Sequence, residues 1–249
     1  LAKNDKVQSV ERAIDLLFCF TISEPYLSMN DFIDKTGLNR TTIFRLLTSL
    51  SNKGLIEKEA ISGRYKLGIP FVGFGQIVSE SLDIRREALE TMEHLSKDTG
   101  ETTSLNVIQD ERRVCIEKSE GSEDIKHFVK LGVAYPIVKG ASGMIFLAFS
   151  TQEFTEKVLQ NWECENNEKI NRTDYYKNLS VIRDEKFAVS QNDRVVGAYS
   201  VSAPIFEASG KILGGLTISG PTSRFNEKLI VPKVKAGAEQ ISKQMGYGG

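Results

Sequence analysis

"GLNRTTIFRLLTSLSNKGLIEKEAISGRYKLG", Gly37 to Gly68, decides the architecture of the first part of the chain. Within it Ile43, Leu46, Leu47 and Leu50 recur at i, i+3, i+4 and i+7, and at about 100° per residue they share one face of a helix. Arg40, Thr41, Phe44, Arg45 and Thr48 fall on or beside the opposite face. Asn39 is a good N-cap for this helix. Gly37 stops whatever precedes it, since glycine takes up the left-handed conformation that ends helices. After Gly54, "LIEKE" and "RYKLG" alternate apolar and polar residues about "ISG", which reads as a two-stranded hairpin.

Upstream, Val10, Ala13, Ile14, Leu17 and Phe18 step by three and four, the spacing of an amphipathic helix. Ser28 reads as an N-cap with Asp31 three residues on, opening a short helix that turns Phe32 and Ile33 inward. Helix, helix, tight turn, helix and hairpin make a winged helix-turn-helix. Downstream, "LDIRREALETMEHLSK", Leu82 to Lys97, repeats Ile84, Ala88, Met92 and Leu95 between charges, a helix suited to joining two domains. Beyond it, "TTSLNVIQD" and "RRVCIEKSE" alternate about "DE", and "SVSAPIFEASGKILGGLTISG" repeats the hairpin pattern about "ASG". Helical patterns interrupt the strands at "ASGMIFLAFS", "QEFTEKVLQNW" and "YYKNLSVIRDEK", and a last helix runs from Asn226 to Met245. The expected fold class is therefore α+β, with domains over 1–75 and 98–249 and a linker helix over 76–97.

Bulk composition agrees with two domains in 249 residues. The net charge of −1 excludes a globally basic nucleic-acid coat but leaves room for a local patch. Residues 1–68 hold ten Lys and Arg against eight Asp and Glu, a surplus of two in the direction a DNA-contacting head needs. Three scattered cysteines, Cys19, Cys115 and Cys164, make no closed disulfide framework, which suits a reducing cytoplasm. "LLFCF" is too short to span a bilayer and follows Glu11 and Asp15, so neither a signal peptide nor a membrane anchor is expected. The first residue is Leu rather than Met, which suggests trimming or a tag.

Asn39, Arg40, Thr41 and Thr42 at a helix mouth have two readings. Any helix needs a cap, and arginines on a surface are ordinary. Two threonines in the first turn are nevertheless mediocre helix formers, the unpaired N–H groups there suit a phosphate, and a tight turn presents such a helix to the major groove. On that reading Ser28, Asn39, Arg40, Thr41, Thr42 and Arg45 address bases or phosphates of double-stranded DNA, and Arg64 on the wing meets the backbone or the minor groove. A surplus of two charges per head is too little for tight binding by a monomer, so paired half-sites and a homodimer or homotetramer follow.

"VQSVERAIDLL", "LSMNDFIDKTGLNRTTIFRLLTSLSNKGLIEK", "GRYKLG", "LDIRREALETMEHLSKDTGETTSLNV", "APIFEASGKILGGLTISGP" and "ISKQMG" occur in the order characteristic of the IclR family of bacterial transcriptional regulators, which the chain resembles from Val7 to Gly246. The resemblance implies a winged helix-turn-helix, a linker helix and a C-terminal GAF-like α/β domain that binds a small effector, a carboxylate, and so modulates operator binding as repressor or activator. Carried over residue by residue, the effector cup is lined by Gly140, Ala141, Ser142 and Gly143, by Ser190, Ser200, Thr217 and Ser219, and by Leu131 and Met144. Backbone N–H groups and short hydroxyls of that kind can hold an anion without a buried arginine. The chain departs from the family pattern at Val138, Lys139, Gly140 and Met144, at Tyr199 and Ser200, and at "SQND", which leaves the effector's identity open; Lys139 either charges the cup or points to solvent.

Two rival functions fit less well. An enzyme would need Cys115 as nucleophile and His127 as base, but Cys115 lies in an alternating strand and reads as a buried structural thiol. Two isolated histidines and three scattered cysteines give no metal site by spacing, the Glu123 and Asp124 pair reads as a solvated loop, and "GFGQ" lacks the context of a phosphate loop, so no cofactor is expected. A second domain that only oligomerises is the other alternative.

Overall fold

The computed structural model describes residues 7–80, 83–123 and 129–248. Leu82, Asp124 and His127 of the preceding analysis lie outside the described residues. The chain divides into two compact units, Leu1–Ser81 and Leu82–Gly249.

The first unit contains α1 (Gln8–Phe18), α2 (Met29–Thr36), α3 (Arg40–Asn52), β1 (Ile56–Lys58), β2 (Tyr65–Leu67) and α4 (Pro70–Glu80). Its core is Leu16, Leu27, Phe32, Ile43, Leu47 and Ile56, all buried. Phe32 sits at the centre, edge-on to Phe20 at 5.5 Å and to Tyr65 at 6.0 Å between centroids. α2 starts in a capping box: the Asp31 N–H donates to Ser28 Oγ at 3.3 Å and the Ser28 N–H to Asp31 Oδ2 at 2.6 Å. That backbone donor holds the Asp31 carboxyl below its ordinary value, so its stabilising contribution is full near neutrality and is lost as acid protonates it. Gly37 closes α2 at φ 68°, and two residues later Asn39 caps α3. β1 and β2 pair antiparallel, with Glu57 opposite Lys66.

The apolar residues of α1 divide between two faces. Val10, Ile14 and Phe18 are exposed, Phe18 by 80%, while Leu16 and Cys19 are buried and Ala13 and Leu17 pack beside them. The helix carries two apolar stripes, and α3 covers the one centred on Leu16. α4 starts six residues before the helix expected from residue 76; it too keeps apolar residues outward, with Val72, Phe74 and Ile77 all exposed.

The second unit contains α5 (Asp83–Thr99), β3 (Thr102–Gln109), β4 (Arg112–Ser119), β5 (Ala134–Pro136), α6 (Ala141–Ala148), α7 (Gln152–Asn166), α8 (Arg172–Glu185), β6 (Ala188–Gln191), β7 (Ala198–Phe206), β8 (Ile212–Pro221) and α9 (Glu227–Gln244). Among the described residues the strands form one sheet, ordered β5-β4-β3-β8-β7-β6, with antiparallel pairing throughout. On one face Leu105, Val201, Ala203, Leu216 and Ile218 pack under α5 and α9. On the other, α6 lies over the sheet and is backed by Leu159 of α7 and Leu179 and Ile182 of α8. The short edge strands β5 and β6 were not foreseen. Residues 76–97, expected as one linker, belong to the end of α4 and most of α5, with 81 and 82 between them outside the described residues.

Phe32→Ala is expected to lower the stability of the first unit by about 3–5 kcal/mol. Urea unfolding followed by circular dichroism of a fragment spanning residues 1–81 measures it; a loss below about 1 kcal/mol contradicts the central place given to this ring.

Candidate functional site

α3 buries Ile43, Leu47 and Leu50 and turns Arg40, Thr41, Phe44, Arg45, Thr48 and Ser49 outward. Thr42 is half-buried, and its N–H donates to Asn39 Oδ1 at 2.9 Å. Asn39 is thus engaged as a cap, as Ser28 is in its box. Thr48 Oγ1 donates to Phe44 O at 2.8 Å and Ser49 Oγ to Arg45 O at 3.0 Å, so both hydroxyls fold back on the helix. Among the described residues Arg40, Arg45 and Arg64 form no ion pair, and all three are exposed. Arg64 stands at the β1–β2 turn, where its carbonyl accepts from the Glu59 N–H at 2.8 Å. Phe44, 57% exposed between the two arginines of α3, stands on the outward face where the sequence places it, though it was not among the expected DNA contacts.

In the second unit a cleft of about 570 Å³, counting its open mouth, lies between the polar face of the sheet and the start of α6. It gathers Gly140, Ser142, Ser190, Ser200, Thr217 and Ser219 of the expected set. It does not gather the rest. Leu131 is 42% exposed in a turn. Ala141 and Gly143 are buried in packing, and a Cβ on Gly143 would meet Ile137 O at 2.5 Å. Met144 packs in the cluster beneath α6. Lys139 points away, onto Glu168 at 2.9 Å and over the Trp162 ring.

Strand alternation builds the floor. Register places Ser104 beside Thr217, Ser202 beside Thr217, and Ser200 beside Ser219. Asn106 Nδ2 donates to Ser104 Oγ and Thr217 Oγ1, each at 3.3 Å, and Ser202 Oγ lies 2.9 Å from Thr217 Oγ1. The network ends on a residue that was not expected: Arg113, only 4% exposed, whose Nη1 donates to Asn106 Oδ1 at 2.9 Å. Among the described residues no carboxylate pairs with it, and its Nε and Ser219 Oγ are buried without hydrogen-bond partners. Arg113 and Arg194 both lie over the Tyr135 ring, with guanidinium carbons 5.0 and 4.5 Å from its centroid. Burial lowers the pKa of Arg194, which still leaves it charged at neutral pH. The Gly140 N–H donates to Asp193 Oδ2 at 2.7 Å. Gly140 itself has φ 82°, and a Cβ there would meet Arg194 Cδ at 2.9 Å, so the position needs glycine.

No cluster of metal-binding side chains occurs among the described residues. Cys115 is fully buried and its thiol is pushed up to about 12 by burial, which disfavours the thiolate a nucleophile needs.

A winged helix with outward cations, on the same chain as a domain with a polar, cationic cleft, defines the class of DNA-binding regulators that carry a sensor domain. Matches to known proteins narrow it. Residues 9–60 match the IclR helix-turn-helix domain, and residues 76–243 match the bacterial transcriptional regulator IclR C-terminal domain. The chain is 30% identical to the HTH-type transcriptional regulator KipR of Bacillus subtilis, over 98% of this chain and 99% of that one. It is 24% identical to KdgR of Escherichia coli, over 98% and 94%. The fold is shared with an IclR regulator from Alicyclobacillus acidocaldarius at TM-score 0.84, 23% identity and coverage of 97% and 100%. It is shared also with an IclR homolog from Microbacterium hydrocarbonoxydans complexed with 4-hydroxybenzoate, at TM-score 0.82, 19% identity and coverage of 95% and 98%. The chain belongs to the IclR family; it is a DNA-binding transcriptional regulator and not an enzyme. No helix among the described residues is long and apolar enough to cross a membrane.

Ser28→Ala is expected to cost about 0.5–2 kcal/mol of stability through the lost cap, while a maleimide at pH 8 should label the exposed Cys164 and spare Cys115. Thermal melting and mass spectrometry of the native protein check these; an unmoved melting temperature, or early labelling of Cys115, contradicts the respective assignment.

Proposed function

We propose that two copies of this chain bind paired half-sites in DNA through α3 and the wing, and that a small acid in the cleft controls that binding. The observation that carries the second half is Arg113. A buried guanidinium without a carboxylate partner is costly, and hydroxyls left without partners beside it add to the cost. An anionic ligand removes both costs at once, which favours a sensor over a purely oligomerising domain.

On the DNA side, Arg45 and Arg40 are the groups available for guanine edges or phosphates, with Thr41 beside them. Arg64 on the wing suits the sugar-phosphate backbone. Ser28 and Asn39 act through their caps, which leave their backbone and side-chain groups at the DNA-facing end of each helix. Phe44 offers its ring to a thymine methyl, an apolar contact in an otherwise polar groove. The outward stripes of α1 and α4, Val10, Ile14 and Phe18 with Val72 and Ile77, support pairing of two heads, since contiguous apolar surface of this kind is otherwise unfavourable in water.

Coupling runs along α5, whose Ile84, Ala88, Met92 and Leu95 are packed into the dry side of the sensor sheet. By linkage, operator DNA changes effector affinity by the factor by which effector changes DNA affinity.

Arg45→Ala should weaken binding to a selected duplex by about 1–3 kcal/mol and relax base preference. Arg64→Ala should weaken all duplexes alike and reduce the slope of log K against log salt by about 1. Fluorescence anisotropy on duplexes enriched from a random pool tests both; parent-like binding by both variants removes α3 and the wing from the interface. In the cleft, Arg113→Met should leave the unliganded protein as stable as the parent or more so, because it removes a buried charge. It should also abolish the thermal shift given by an acid that stabilises the parent. A retained shift takes Arg113 out of the site.

A further inference from the structure

The cleft has two places for an acid group, and they are in different states. At the floor, Arg113 Nε and Ser219 Oγ are buried without partners. At the rim, the chain's own Asp193 carboxylate accepts from the Gly140 N–H at 2.7 Å and lies 3.5 Å from Ser190 Oγ. The rim position is a carboxylate seat by demonstration: the Gly140 N–H, at the N-cap of α6, already holds one. The residue that follows, Arg194, reaches back over the Tyr135 ring, as Arg113 does. Its Cδ and Cγ lie against Gly140. Three cations, Arg113, Arg194 and Lys130, and one carboxylate, Asp193, therefore line the cleft.

We infer that the cup is built for a dianion, with one acid group on Arg113 and Ser219 at the floor and the second in the Gly140 seat that Asp193 now fills. The inference rests on the reading of the cup as an acid-binding effector site and adds the class of effector. A diacid fills both seats, whereas a monoacid held on Arg113 and Ser219 leaves the rim to Asp193. The spacing agrees. The two distances to the Tyr135 centroid, 5.0 and 4.5 Å, cap the separation of the guanidinium carbons at about 10 Å. A four- to six-carbon diacid separates its carboxyl carbons by about 4–6 Å, from ordinary bond lengths. The incoming group displaces Asp193, so the β6–β7 turn that carries it, Asn192 to Gly197, is released as the ligand seats. Asp193 is then an internal competitor that sets how much effector is needed.

Calorimetric titration of the full chain at fixed ionic strength, with succinate, glutarate and adipate against butyrate, pentanoate and hexanoate, tests this. At least one diacid should bind tenfold or more tightly than the monoacid of equal length. Arg194→Gln, in an exposed turn, should cut that advantage to threefold or less, and Asp193→Asn should tighten diacid binding at least threefold. Thermal melting checks that both variants fold. Equal affinities for diacids and monoacids overturn the dianion and leave an acid-binding cup standing. Binding by none of the six acids overturns the acid reading itself. An unchanged diacid affinity in Asp193→Asn overturns the shared seat.

Discussion

A β-strand sends alternate side chains to opposite faces, and in β3, β7 and β8 that rule divides one sheet into two environments. Leu105, Val201, Leu216 and Ile218 go to one side and are sealed by α5 and α9. Ser104, Ser202, Thr217 and Ser219 go to the other, where they are almost fully buried yet polar. The dry face supplies the cohesion that lets the wet face remain underfilled. A shift of one residue in the register of any of the three strands would exchange the two sets and destroy both. The cleft is therefore a property of sheet register before it is a property of any one side chain.

Arg113 is the most consequential resident of the wet face. Its guanidinium is held by one neutral acceptor, Asn106 Oδ1, and by the face of Tyr135. Both interactions orient it, and neither neutralises it. The neighbouring Glu101 shows what a completed pair looks like in the same domain: it is clasped by Arg224 through two hydrogen bonds of 2.7 and 2.8 Å. One arginine is built into the scaffold, and the other is left with capacity.

The head was legible because its signals are local. Ser28 with Asp31, Gly37, Asn39 and the 3.6-residue repeat of Ile43, Leu47 and Leu50 each act within a few residues, and the structure uses each where it stands. In α1 the helix was legible but its inward face was not: Val10, Ile14 and Phe18 form as regular a stripe as the one that is buried, and which stripe faces inward depends on α3. The cleft residues that came from resemblance were half gathered. Ser200, Thr217 and Ser219 share the wet face by period two, whereas Leu131 and Met144 depend on how a turn and a helix lie over the sheet. Arg113 was missed for a physical reason. In "RRVCIEK" one of two adjacent arginines must face each way, and only pairing with β3, which brings Ile108 opposite Arg113, decides which. β5 and β6, of three and four residues, are too short to show alternation.

The outward valines, isoleucines and phenylalanines of α1 and α4 have a consequence for the cell as well as for the fold. In the pairing of heads proposed above, association follows mass action, so the amount of protein made would become an input to the circuit alongside the effector. Promoter occupancy then climbs with roughly the square of the regulator's abundance while single copies predominate, and a modest change in its synthesis is felt as a sharp change in transcription.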